Sequence, residues 1–156
     1  MNYDRANAKI YNVESRIDFI CADAYDVLTS LIPNTICHSD DPVQVTTLTF
    51  DPNSRNPPPR VDVVLLAPPW GGPSYTAYKY FDMRTNFLSG DGLELIKLAF
   101  RVTKNVICVF PKNIMKSQLN EFIEEENIVD CRLDEIHLYK KHKMSIIFFG
   151  PLFKRF

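Results

Sequence analysis

The chain has 156 residues, 46% of them hydrophobic and 24% charged, and a formal net charge of -1 at pH 7. That length suits one domain with a sizeable core. The near-neutral balance excludes a bulk electrostatic grip on RNA, DNA or anionic membrane, so any nucleic-acid contact is expected to be local and shape-specific. No apolar run is long enough to span a bilayer, and Met1-Asn2-Tyr3-Asp4-Arg5 starts no signal peptide. The four cysteines (Cys21, Cys37, Cys108, Cys131) form neither a C-x-x-C motif nor a cluster with histidine, so no metal is expected. Cys21 and Cys108 lie inside apolar runs and are expected to be buried thiols, which fits an intracellular, reducing compartment.

In chain order, residues 4–13 carry Ala6, Ile10 and Val13 at helical spacing and read as the end of a helix. Ile17-Asp18-Phe19-Ile20-Cys21-Ala22-Asp23 reads as a strand ending in an acid, followed by a short helix over 25–32. Asp23 has two readings at this point: the cap of that helix, or an acceptor for a ligand amine at a strand's carboxyl end. Residues 33–60 hold Pro33, Pro42, Pro52 and Pro57-Pro58-Pro59 among small polar residues, and are expected to be an inserted surface loop with a possible edge strand over 43–50. The apolar run 61–66 predicts a buried strand, and 75–82 is aromatic without a clean period. Asp91-Gly92 opens a helix with Leu93, Ile96 and Phe100 on one stripe; a second buried strand follows over 106–110. Met115, Leu119, Phe122 and Ile123 predict an amphipathic helix whose Glu121, Glu124, Glu125 and Glu126 form a solvated face. Strands over 128–139 and 144–149 are expected to pair antiparallel around a basic turn, Lys140-Lys141-His142-Lys143, with His142 a surface residue of that turn. The alternation predicts an α/β fold: a mostly parallel sheet with helices on its faces and the last strand antiparallel.

The stretch around which these elements are organised is Ala67-Pro68-Pro69-Trp70-Gly71-Gly72-Pro73, at the carboxyl end of the 61–66 strand. Two prolines fix φ and remove two donors, which leaves carbonyls free to accept from outside. Trp70 offers a flat aromatic face, and the glycines permit close approach. Proline-proline-aromatic after a strand resembles the amino-methylating branch of the class I S-adenosylmethionine-dependent methyltransferases. There, acceptors on an exocyclic amine would draw the nitrogen toward tetrahedral geometry, so that catalysis is positioning and desolvation.

Together with Tyr80-Phe81-Asp82-Met83-Arg84-Thr85, the 17–23 segment, Phe110-Pro111-Lys112-Asn113 and Phe148-Phe149-Gly150, the chain is similar to the trimethylguanosine synthases over nearly all its length except 33–60. The resemblance implies a Rossmann-like fold, S-adenosylmethionine as cofactor, a nuclear location, and methylation of guanine N2 in 7-methylguanosine-capped small nuclear and nucleolar RNA. It gives Pro68 and Ala67 to catalysis, with the Pro68 carbonyl orienting the amine. Trp70, which would stack on the cationic base, Pro69, Gly71, Lys112, which would touch the cap phosphates, and Asn113 go to the substrate. Asp23, which would accept from the adenine amine, Ala24, Ala67 and Pro68 go to the cofactor. No metal and no membrane are implied.

Two departures shape the expectation. Ala67 stands where the family usually has Ser, Asp or Asn, so one side-chain acceptor is missing. No glycine precedes Asp23, since the five glycines are Gly71, Gly72, Gly90, Gly92 and Gly150. The chain is therefore expected to be an N-terminally truncated methyltransferase domain over 1–156, its sheet lacking two strands between the 17–22 and 61–66 strands. Two alternatives stay open: another amino-methyltransferase acting on adenine N6 or protein glutamine, and a non-catalytic cap-binding remnant.

Overall fold

The computed structural model describes residues 2–32, 60–70, 75, 77–87 and 92–154. The proline-rich stretch short of Arg60, the 43–50 edge strand within it, Cys37, Gly71-Gly72-Pro73 and Asp91 lie outside the described residues.

Eight regular elements are described: helices α1 (Asn2–Ile10), α2 (Ala24–Ser30), α3 (Gly92–Val102) and α4 (Lys116–Glu125), and strands β1 (Val64–Leu66), β2 (Val106–Pro111), β3 (Cys131–Leu138) and β4 (Lys141–Phe149). The strand order is β1-β2-β4-β3. β1 and β2 are parallel, and β4 is antiparallel to both β2 and β3. Three strands thus share one direction and the last opposes them, as the alternation of elements predicts.

Helix ends follow local chemistry. Asp23 caps α2, its carboxylate accepting from the Tyr25 amide at 2.7 Å. α4 ends where Asn127 takes φ 53°, and the Ile128 amide reaches back to the Ile123 carbonyl at 2.9 Å. That left-handed terminus satisfies carbonyls the last turn leaves open. The hairpin turn is Tyr139-Lys140, both at positive φ (49° and 62°), between the paired Leu138 and Lys141. A two-residue turn of this handedness matches the twist of the flanking strands.

The core lies between the sheet and α3 and α4. Phe81, Phe87 and Phe110 cluster with centroids 5.0 to 6.5 Å apart, and Phe149 meets Phe100 and Phe122 at 5.5 and 6.3 Å. Leu93, Leu95, Ile96 and Ala99 of α3 and Leu119 and Phe122 of α4 are buried with them. Burial of each large apolar side chain stabilises by roughly 1.5–3 kcal/mol.

Four expectations are corrected. Residues 17–22 form no strand; they run irregularly, with Ile17 42% and Ile20 67% exposed. An extended apolar run becomes a strand only with a neighbour to bond, and no described segment pairs with this one. Cys21, on the same run, is exposed; Cys108 is buried as expected, and burial pushes its thiol well up. β1 spans three residues rather than six, and its middle residue, Leu65, is 62% exposed because its outer face is uncovered among the described residues. His142 lies in β4, not in a turn. Its ring stacks on His137 across the strands at 5.1 Å, with Nε2 3.0 Å from the Met144 carbonyl and 3.2 Å from Ser145 Oγ.

Candidate functional site

The ladder between β1 and β2 stops at Leu66 against Cys108, yet β2 runs on to Pro111. One residue beyond the last pair, the Val109 carbonyl accepts from the indole N–H of Trp70 at 3.0 Å. The proline pair cannot donate to β2, so the Trp70 side chain takes up a carbonyl that a longer β1 would bond. A buried carbonyl left alone would cost about 1–3 kcal/mol. Trp70 is thereby pinned at the carboxyl end of the strand, half-buried against the core. Tyr75 meets it at 83° between ring planes, centroids 5.5 Å apart. Edge-to-face geometry is the favoured aromatic contact and fixes the angle of both rings.

Tyr75 is held in turn by Asn113. The Asn113 side-chain amide donates to the carbonyls of Tyr75 at 3.2 Å and Tyr78 at 2.9 Å. Its backbone carbonyl accepts from Phe81 N–H at 2.7 Å, and the Phe81 carbonyl accepts from Met115 N–H at 3.2 Å. Asn113 therefore staples the 75–81 loop to the end of β2 at three points. The loop is a wall of the site, with Phe81 fully buried and Tyr78 and Tyr80 exposed.

Phe81-Asp82-Met83-Arg84-Thr85 clamps the far end of that wall. The Asp82 carboxylate accepts from the amides of Arg84 at 2.8 Å and Thr85 at 3.2 Å, while Asn86 Oδ1 accepts from Asp82 N–H at 3.0 Å. Desolvation alone would raise the Asp82 carboxyl, but hydrogen bonds from the Gln118 side chain and from the Arg84 and Thr85 amides outweigh it and hold it below its ordinary value. Met83 N–H donates to Gln118 Oε1 at 2.8 Å. Arg84 reaches Glu125 at 2.7 Å and Glu121 at 3.5 Å, so it pairs with two of the four glutamates expected on a solvated face. Glu126 pairs with Lys97 at 3.4 Å.

Ala67 and Pro69 are exposed and Pro68 is half-buried, at the strand end where a ligand is expected. Gly71 lies outside the described residues. Lys112 is exposed beside Asn113. Trp70, Tyr75 and Asn113 are brought together. Asp23 and Ala24 are exposed at the start of α2, and among the described residues no hydrogen bond joins Asp23 to the 67–70 turn. The cap reading of Asp23 is realised through one carboxylate oxygen. Three positioning groups escape sequence reasoning: the Val109 carbonyl, Gln118, and the bracing role of Asn113. The spacing of Trp70 and Asn113, each just past a strand, was the one signal for the third.

A model of the RNA cap guanine-N2 methyltransferase family matches residues 1–152. The chain belongs to this family. The match covers both the Pro68-Pro69-Trp70 turn and the α2 start with Asp23, and makes the chain a member of a methyltransferase family. Methyltransferases generally take the methyl from S-adenosylmethionine.

Proposed function

We propose that the protein methylates the guanine N2 amine of 7-methylguanosine-capped RNA, using S-adenosylmethionine, in the nucleus. The observation that carries the reading is the Trp70 ring, locked by its 3.0 Å bond to the Val109 carbonyl at the carboxyl end of β1. A cationic base stacked there gains a cation–π contribution of about 0.5–2 kcal/mol over ordinary stacking. The Pro68 carbonyl orients the N2 hydrogens. The Ala67 carbonyl lies next to it in the chain as a second backbone acceptor. When bound, the cofactor supplies an electrophilic methyl group. Asp23 and Ala24 hold its adenine, Trp70 and Pro69 hold the base, and Lys112 holds the phosphates. Asn113 acts as a positioning residue through Tyr75 rather than by touching substrate.

Cap analogue titrated against the single tryptophan should quench its fluorescence, while adenosine and a glutamine peptide should not. Labelled methyl should pass from S-adenosylmethionine to guanine N2 of capped RNA, and Trp70→Ala should abolish that transfer. Quenching by adenosine alone would refute the cap reading.

One observation favours a second reading, cap binding without transfer. The segment leading into Asp23 has no ladder partner among the described residues and keeps Ile17 and Ile20 on the surface, and Ala67 offers no side-chain acceptor. Saturable quenching by cap analogue with no methyl transfer would select it.

A further inference from the structure

An open groove of about 580 Å³, lined in part by Asn113, lies between the end of the 75–81 loop and the start of α4. Its lining includes Lys79 and Tyr80 from the loop, Lys112 and Asn113 from the end of β2, and Lys116 and Ser117 from the first turn of α4, with Ile114 and Met115 between them. Three lysines converge on this groove although the whole chain has a net charge of -1. Lys116 is ion-paired with Glu135 at 2.9 Å. Lys79 and Lys112 have no carboxylate partner among the described residues; the Lys79 amine lies over the Tyr80 ring, 5.3 Å from its centroid. Tyr80 is 53% exposed and projects an aromatic ring where no core residue needs it. The α4 terminus adds to this field, since Met115 supplies no capping side chain and the first turn holds no acid.

Unpaired lysines alternating with an exposed aromatic are what a single-stranded nucleic acid requires, cations for successive phosphates and a ring for a base. The groove shares Asn113 with the Trp70 wall, so a chain entering it continues from whatever Trp70 and Lys112 hold. We propose that this groove binds the RNA that follows the cap: Lys79 on the first internucleotide phosphates and Tyr80 beneath the first transcribed base. This rests on the cap reading and goes beyond it. It makes the substrate a capped RNA strand, with the free cap a poorer ligand, and it assigns Lys79 and Tyr80 as specificity determinants outside the reacting centre.

The test compares three probes on the full chain: 7-methylguanosine triphosphate, a short capped RNA oligonucleotide, and the same oligonucleotide with an uncapped 5′-triphosphate. The capped oligonucleotide should bind about tenfold tighter than the free cap, the scale of one stacked base. Lys79→Ala with Tyr80→Ala should erase that advantage and leave the free-cap affinity unchanged. Lys79→Ala alone should lower the slope of log affinity against log salt by about 0.7, one phosphate contact on a single strand. The proposal is overturned if wild-type protein binds the two capped probes equally, or if the double variant weakens both by one factor. Should the free cap not bind at all, the cap reading fails by itself. Binding of the uncapped oligonucleotide that depends on Lys79 and Tyr80 would then uphold the groove, and no binding would overturn it.

Discussion

Replacing Asn113 separates the stability of the wall from its use. Its side-chain amide donates to the Tyr75 and Tyr78 carbonyls at 3.2 and 2.9 Å, while its Oδ1 is buried with no partner among the described residues. Asn113→Ala removes two hydrogen bonds of about 0.5–1.5 kcal/mol each. It also removes an unpaired buried acceptor whose retention costs about 1–3 kcal/mol. The two effects largely cancel, so the net loss should stay within about 1 kcal/mol, or about 3 °C in Tm for a chain of this size. Asn113→Asp keeps the shape but sets an acceptor against two carbonyl oxygens and buries a charge, so the loss should reach about 3 kcal/mol or more. Denaturant unfolding followed by Trp70 fluorescence measures both. Cap-analogue titration should show both variants weakened about tenfold, because each frees the Tyr75 carbonyl and with it the ring that fixes Trp70. Binding would thus fall in both while stability falls in one. An alanine variant with wild-type affinity, or an aspartate variant no less stable than alanine, would refute the bracing role.

Trp70→Phe keeps an aromatic face but leaves the Val109 carbonyl without its donor. It should cost about 1–2 kcal/mol in calorimetric unfolding and weaken cap binding, and unchanged stability would show that the bond anchors nothing. For Asp82→Asn, the expected signature is a pH dependence. The folded carboxyl titrates below its ordinary 3.8, so its stabilisation is complete above that value and is lost as pH falls through the lower folded value. The stability gap between wild type and variant should be constant at neutral pH and close in acid; a gap that opens as pH falls would contradict the assignment. Gly150 has φ 109°, and a Cβ there would collide with the Lys104 carbonyl. Gly150→Ala should therefore lower the unfolding free energy by more than about 1 kcal/mol, measured by denaturant titration.

Much of this architecture is legible in the chain itself. The alternation of elements anticipates three co-directional strands and an opposing fourth, because helix and strand periodicities are local properties. The turn after β1 stands out by composition alone. What is not legible depends on partners distant in sequence. The 17–22 run has the apolar content of a strand, but a strand is made by a ladder, and periodicity does not report whether a neighbour exists. The basic run 140–143 suggests a later hairpin turn than the observed Tyr139-Lys140, because that pair lacks the Gly or Asn that usually marks positive φ. The same run suggests a turn position for His142, which instead lies in β4 against His137. The family resemblance gives Asn113 to the substrate, and its bracing of the loop is invisible in the sequence because the carbonyls it holds lie 35 and 38 positions earlier. Phe81-Asp82-Met83-Arg84-Thr85 signals the family without disclosing what it does. In the fold it is a clamp, spending its polar atoms on amides, on Gln118 and on the glutamates of α4.

The proposed transfer therefore depends on backbone held still. In that proposal the acceptors for the amine are the Ala67 and Pro68 carbonyls, and neither titrates. Their positions follow from the proline pair on one side and from Trp70, pinned to Val109, on the other. Trp70 depends on Tyr75, Tyr75 on Asn113, and the loop beyond on Phe81 and the Asp82 turn. Each link is a hydrogen bond or ring contact in the range 2.7 to 5.5 Å. A side-chain acceptor at 67 would add one contact to the amine, but it would not replace any member of this chain of supports. The substrate side of the site is accordingly self-supporting. The side that begins at Asp23 rests on a helix cap preceded by a segment that has no ladder partner among the described residues, and the proposed transfer turns on how firmly that second side is held.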